Sequence, residues 1–101
     1  MKKAETLIET DDVRVRVLEL SPGQITPWHY HTKITDHMVG LCGDLLIRLR
    51  DPDEEIALAP GSRCEVAAGR VHQVINRSIL EPAQYLLAQG VGRYDFIQVK
   101  N

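Results

Sequence analysis

The stretch Gly23-Gln24-Ile25-Thr26-Pro27-Trp28-His29-Tyr30-His31-Thr32-Lys33-Ile34-Thr35-Asp36-His37-Met38-Val39-Gly40-Leu41-Cys42-Gly43 carries more structural information than any other part of the chain. Within it, Ile25–His31 reads as a β-strand. Side chains two apart on a strand leave the same face, so His29 and His31 point together and Trp28 and Tyr30 point away. That is how a strand presents two imidazoles to one ion. Asp36 opens the next strand-like run, Asp36–Cys42, and shares its face with Met38 and Gly40. His37 falls on the opposite face, which separates it from Asp36 as a ligand.

On both sides of this stretch the pattern is short and β-rich. Val13-Arg14-Val15-Arg16-Val17 alternates with period two, as a half-buried strand does. Asp44–Arg50, Glu54–Ala59, Arg63–Val66, Val71–Asn76, Gln84–Gln89 and Tyr94–Val99 follow as further strands. The breaks between them are rich in turn formers: Ser21-Pro22-Gly23, Asp51-Pro52-Asp53, Pro60-Gly61-Ser62, Gly69, Glu81-Pro82 and Gly90-Val91-Gly92. Strands at such spacing predict an all-β sandwich or barrel. No segment carries a capped helical stripe. Lys2–Thr10 fits either a helical turn or an edge strand. With no linker and 101 residues, one domain spanning 1–101 is expected.

Composition narrows the function classes. Hydrophobic residues make up 44% of the chain, enough for a core. Twelve Lys and Arg against fourteen Asp and Glu leave a formal charge of −2. The basic residues are scattered (Lys2, Arg14, Arg48, Arg63, Arg77, Arg93), with no stripe to track a phosphate backbone, so no nucleic-acid partner is expected. Arg14 and Arg16 read as solvated surface arginines. No apolar run approaches the ~18 residues of a membrane span. Glu5 and Glu9 interrupt any secretion signal after Met1-Lys2-Lys3, which points to the cytoplasm. Cys42 and Cys64 fit no metal or redox spacing and read as free thiols. A small barrel leaves sheet edges to protect, and a homodimer paired through the N-terminal segment would cover one.

The fourth histidine beyond His29, His31 and His37 is His72, which begins the run Val71–Asn76 after Gly69 and shares a face with Val74 and Asn76. If its hairpin packs across a barrel from the first stretch, the three imidazoles of His29, His31 and His72 meet inside. The spacing of these residues resembles that of the cupins, small β-barrels of jelly-roll type. The first cupin motif runs Gly, five residues, His-x-His, three or four residues, Glu, six residues, Gly. Here Gly23, His29, His31, Asp36 and Gly43 occupy those places. The second runs Gly, five residues, Pro-x-Gly, two residues, His, three residues, Asn. Gly61, Ala67, Gly69, His72 and Asn76 stand there. The motifs and their spacer cover residues 23–76. Two positions depart from the pattern. Asp36 replaces Glu and is one methylene shorter, and Ala67 replaces the proline, loosening a turn without removing a ligand.

The resemblance implies a cupin-type jelly-roll β-barrel with core motifs at 23–43 and 61–76. It also implies one divalent transition-metal ion (iron, zinc, nickel or manganese) held by His29, His31 and His72. Asp36 either completes the ligand set or accepts a hydrogen bond from a ligand imidazole. Met38, Arg48 and Asn76 are the candidate substrate-pocket residues. Met38 shares the face of Asp36, Arg48 pairs with Arg50 on one face as an anion holder, and Asn76 ties the turn or orients a neighbour. The implied function is a metal-dependent enzyme of isomerase, dioxygenase or decarboxylase type, acting on a small metabolite. The alternatives are a non-catalytic small-molecule-binding or sensor cupin, and a barrel whose metal only stabilises it.

Overall fold

The computed structural model describes residues 3–100. Met1, Lys2 and Asn101, which the sequence reading placed in the domain, lie outside the described residues. Ten strands are present: β1 (Ala4–Glu9), β2 (Val13–Leu20), β3 (His29–Tyr30), β4 (Thr35–Cys42), β5 (Leu45–Leu49), β6 (Glu54–Leu58), β7 (Arg63–Val66), β8 (His72–Asn76), β9 (Ala83–Gly90) and β10 (Ile97–Gln98). They form two five-stranded sheets, ordered β1-β2-β9-β4-β7 and β10-β3-β8-β5-β6. Every pairing between these strands is antiparallel. No helix occurs among the described residues, and so none is long and apolar enough to cross a membrane. The all-β jelly-roll expectation holds.

The sheets face each other over a core that includes Leu20, Leu45, Ile47, Leu49, Leu58, Val74 and Tyr85. Period-two alternation builds it. In β9, Ala83, Tyr85, Leu87 and Gln89 are buried while Gln84, Leu86, Ala88 and Gly90 are only half-buried. In β5, Leu45, Ile47 and Leu49 are buried, and Arg48 faces out.

One segment resolves between its two readings, and two differ from theirs. The first segment is an edge strand, β1, and is exposed throughout. The Ile25–His31 run shrinks to an isolated bridge at Ile25 and the two-residue β3, because Pro27 has no N–H to give a ladder. Tyr94–Val99 likewise keeps only the two residues of β10, paired to β3.

The most consequential difference concerns β2. Its alternating Val and Arg residues define two faces, and the arginine face is the one turned inward. β2 lies beside β9 in a register that sets Arg14 opposite Gln89, Arg16 opposite Leu87 and Leu18 opposite Tyr85. These β9 residues are buried, so Arg14 and Arg16 are drawn into the barrel instead of lying on a solvated surface. The half-buried valines Val13, Val15 and Val17 take the outer face.

Two local devices set the site. Gly69, at φ +84°, turns the chain between β7 and β8 and donates its N–H to the His31 carbonyl at 2.7 Å. That bond fastens the His31 backbone next to the start of β8. On the opposite flank, the Asp95 carboxylate accepts from the Thr32 N–H at 2.8 Å and the Thr32 hydroxyl at 2.5 Å. Residues 94–96 are thereby held across one end of the barrel.

Candidate metal centre

His29 and His72 are direct partners across β3 and β8, so their rings start side by side, 4.3 Å apart between centroids. His31 lies two residues along on the same side, 5.2 Å from the His29 ring and 5.6 Å from the His72 ring. Asp36 comes from the opposite sheet, from β4. All four residues are buried, and one ligand atom from each lies within 4.8 Å of the others.

The backbone dictates which imidazole nitrogen faces the centre. His29 Nδ1 donates to the Pro27 carbonyl at 2.7 Å, His31 Nδ1 to the Asp95 carbonyl at 2.6 Å, and His72 Nδ1 to the Arg70 carbonyl at 2.9 Å. A carbonyl accepts only, so each Nδ1 carries a proton, and the Nε2 of each ring is the nitrogen that faces inward. There they meet a carboxylate. Asp36 Oδ2 is 3.1 Å from His72 Nε2 and 3.3 Å from His31 Nε2. The second contact is out of hydrogen-bonding alignment and leaves His31 Nε2 buried without a partner. Lone pairs facing a carboxylate repel unless a proton or a cation stands between them.

The electrostatics follow from this crowding. Burial, assisted by the neighbouring His72 and His31, lowers the pKa of His29 to about 4, so it is neutral at pH 7. Burial also disfavours the charged form of His31, but the Asp36 carboxylate and the Asp95 backbone outweigh it and raise its pKa. For Asp36, burial favours protonation. His31, His72 and Gln89 overcome that and hold the carboxyl well below the usual carboxylate range. Its second oxygen, Oδ1, accepts from Gln89 Nε2 at 2.9 Å.

The four residues open onto a cavity of about 230 Å³. Its walls are mostly apolar, with Leu18, Met38, Val74 and Leu87 from four strands. Phe96 stacks on His29 at 4.3 Å between centroids and 17° between planes, and Tyr94 lies 5.5 Å from the His31 ring. The anchored 94–96 segment thus shields the imidazoles from water.

Among the candidate pocket residues, Met38 lines this cavity and the other two do not. Arg48 sits on the outer face of β5, beside Glu55 at 3.3 Å. It borders a separate, more open cleft of about 560 Å³ with Trp28 and Arg50, which contains none of the histidines. The physical reason is parity: Leu49 and Ile47 take the inner positions of β5, leaving Arg48 and Arg50 to pack on Trp28. Asn76 is buried but is consumed by the backbone. Its Nδ2 donates to the carbonyls of Leu20, Ser21 and Glu81, at 3.3, 3.1 and 2.9 Å, and its Oδ1 accepts from the Ser78 N–H. It ties three chain segments together and faces no ligand. Asn76→Ala is therefore expected to lower stability by about 2 kcal/mol, read from urea unfolding, by stranding these carbonyls. An unchanged urea midpoint would show that water replaces the amide.

Sequence reasoning missed Arg16, Gln89, Tyr94 and Phe96, all of which line the cavity. Gln89 carried a signal, being a polar residue in phase with Tyr85 and Leu87 on a strand face. Tyr94 and Phe96 carried none, since they reach the site through the Asp95–Thr32 anchor.

No family model matches this sequence, and no curated protein matches it. Solved structures do. A Klebsiella pneumoniae protein described as uncharacterised, with a double-stranded β-helix domain, superposes with a TM-score of 0.78 at 22% identity, over 95% of this chain and 82% of that one. A protein from Thermus thermophilus gives 0.75 at 27% identity, over 88% and 84%. An oxalate oxidase gives 0.78 at 17% identity, over 87% of this chain and 46% of its own, so the present chain spans about half its length.

Proposed function

From the premise that this chain has the double-stranded β-helix fold of the cupins, we propose that it is a metal-dependent enzyme acting on a small metabolite. His29, His31 and His72 hold one divalent transition-metal ion, and Asp36 is the fourth ligand. The observation that carries the reading is the orientation of the rings. Three Nδ1–H groups are spent on backbone carbonyls, so three Nε2 atoms converge on one carboxylate. The donor set fits such an ion. Ligand atoms at ~2.0–2.2 Å from a metal stand at most about 4.4 Å apart, and the present set, within 4.8 Å, lies close to that limit. Imidazole and carboxylate together suit iron, nickel, manganese and zinc.

When bound, the ion supplies Lewis-acid polarisation of a carbonyl or carboxylate oxygen, or redox chemistry if it is iron or manganese. The chain's own residues do the rest. The backbone carbonyls of Pro27, Asp95 and Arg70 fix the ring orientations. Gln89 fixes Asp36 through Oδ1. Phe96, Leu87 and Val74 exclude water, which strengthens every electrostatic contact inside. The likeness to an oxalate oxidase supports a small-metabolite substrate.

Elemental analysis of untagged protein by mass spectrometry tests the reading, with about one equivalent of metal per chain expected. Protein that is empty as isolated and refuses added iron, nickel, manganese and zinc would overturn it. Saturable ligand binding with no turnover under any of these metals would favour the binding or sensor role. Asp36→Asn separates the two readings of that residue. As a direct ligand, its replacement should weaken metal binding more than about 100-fold by competition with a chelator, whereas a loss near 10-fold places it behind a ligand imidazole.

A further inference from the structure

Arg16 is the one formal cation side chain lining the histidine cavity, and nothing in the described protein neutralises it. It projects from the inner face of β2 into the same space as His29, His31, Asp36 and His72. Among the described residues neither Arg16 nor its neighbour Arg14 forms an ion pair. Both guanidiniums turn to a single neutral acceptor, Gln89 Oε1, at 3.1 Å from Arg16 and 3.5 Å from Arg14. The Nε–H of each is buried without a partner.

Asp36 forms no ion pair with Arg16 and acts on it only from a distance. Its Oδ1 is taken by Gln89 and its Oδ2 by the histidines, so Gln89 stands as a neutral spacer between carboxylate and guanidinium. Tyr94 is not available, because Arg14 occupies its ring at 3.6 Å while Arg16 is 6.0 Å away. Buried charges are normally paired, since removing an ion from water costs several kcal/mol. Here a half-buried guanidinium has a like charge beside it, and burial and Arg14 both push its pKa down from the ordinary arginine value. A group held this way lacks an anion.

We propose that Arg16 is the carboxylate receptor of this cavity, and that the ligand is a small carboxylic acid bound with its anionic end on Arg16 and a second oxygen directed at the histidine cluster. The second contact rests on the metal reading, while the first does not. The planar guanidinium fork matches a carboxylate in shape and in charge. Charge accounting agrees. A divalent ion, one Asp36 carboxylate and Arg16 sum to two positive charges, which one carboxylate would halve and two would cancel. Size agrees as well. The cavity of about 230 Å³ equals roughly eight waters of liquid volume, room for a short-chain acid.

Calorimetric titration with lactate, and with its neutral isostere lactamide, tests the assignment on both metal-loaded and metal-stripped protein. The wild type should prefer lactate over lactamide in both forms. Arg16→Gln should weaken lactate roughly 10- to 100-fold while leaving the lactamide affinity and the metal content unchanged. Arg16→Lys, which keeps the charge but not the fork, should fall between the two and serves if the glutamine variant does not fold. Lactate binding to Arg16→Gln at wild-type strength, or a wild type indifferent to the charge of the ligand, would overturn the proposal. A protein that takes no metal yet still prefers lactate through Arg16 would sink the metal reading alone.

Discussion

His72→Ala empties the metal site: its affinity for added metal is expected to fall more than about 100-fold below wild type, beyond the loss typical of removing a supporting residue. His72 is 1% exposed and is the only one of the three imidazoles whose Nε2 is hydrogen-bonded to Asp36. Its ring abuts that of His29, at the centre of the cluster. The truncation leaves a void next to an existing cavity and keeps the backbone of β8 paired to β5 from Leu45 to Leu49. The barrel should therefore stay folded. Thermal melting with and without metal gives the readout. Metal should raise the wild-type melting temperature, because it binds the native state alone, and should leave that of the variant unmoved. Full metal occupancy in the variant would mean that the ion binds elsewhere.

Gly43→Ala should be among the most damaging single-methyl changes available in this chain. Gly43 has φ +91°, where an L side chain is strained, and a Cβ there would lie 2.5 Å from Ala83 Cβ and 2.7 Å from its Cα. Ala83 is fully buried in β9, so neither side of the contact gives way. Backbone strain of ~1–2 kcal/mol and overpacking of ~1–3 kcal/mol together reach about 2–5 kcal/mol. That is a large part of the ~5–15 kcal/mol that holds a typical domain folded. Gly61→Ala is the control. Its φ is +83°, but a Cβ there meets nothing within 4 Å, so only the strain of ~1–2 kcal/mol applies. Urea midpoints of the two variants should separate clearly, and equal shifts would remove the close approach to Ala83 as the reason for this glycine.

Gly43 closes the first spaced motif and Gly61 opens the second, and neither place reveals which glycine has a close neighbour. The same division runs through the candidate site. His29 and His31 were legible as a pair because strand periodicity is local: two residues apart means one face, whatever the strand packs against. His72 was legible through its spacing from Gly61, Gly69 and Asn76. Met38 followed from its phase with Asp36, and the structure places both in the cavity wall.

Arg48 and Asn76 were placed in the pocket for the same kind of local reason and left it for non-local ones. Parity puts Arg48 on one face of β5, but only packing against the second sheet reveals that Ile47 and Leu49 hold the inner one. Asn76 shares the inner face with His72, yet the carbonyls of Leu20, Ser21 and Glu81 converge on its amide before any ligand can.

Periodicity and spacing within some fifty residues thus sufficed for the all-β architecture, the turns and the three imidazoles. Orientation of the Val–Arg strand required the pairing of β2 with β9, whose partners lie some seventy residues apart. Closure of the cavity by Tyr94 and Phe96 required the Asp95–Thr32 anchor, more than sixty residues apart. Alternation along a strand defines two faces without naming the buried one. That choice belongs to the neighbouring strand and the opposing sheet, and here it turned two arginines of ordinary appearance toward the interior.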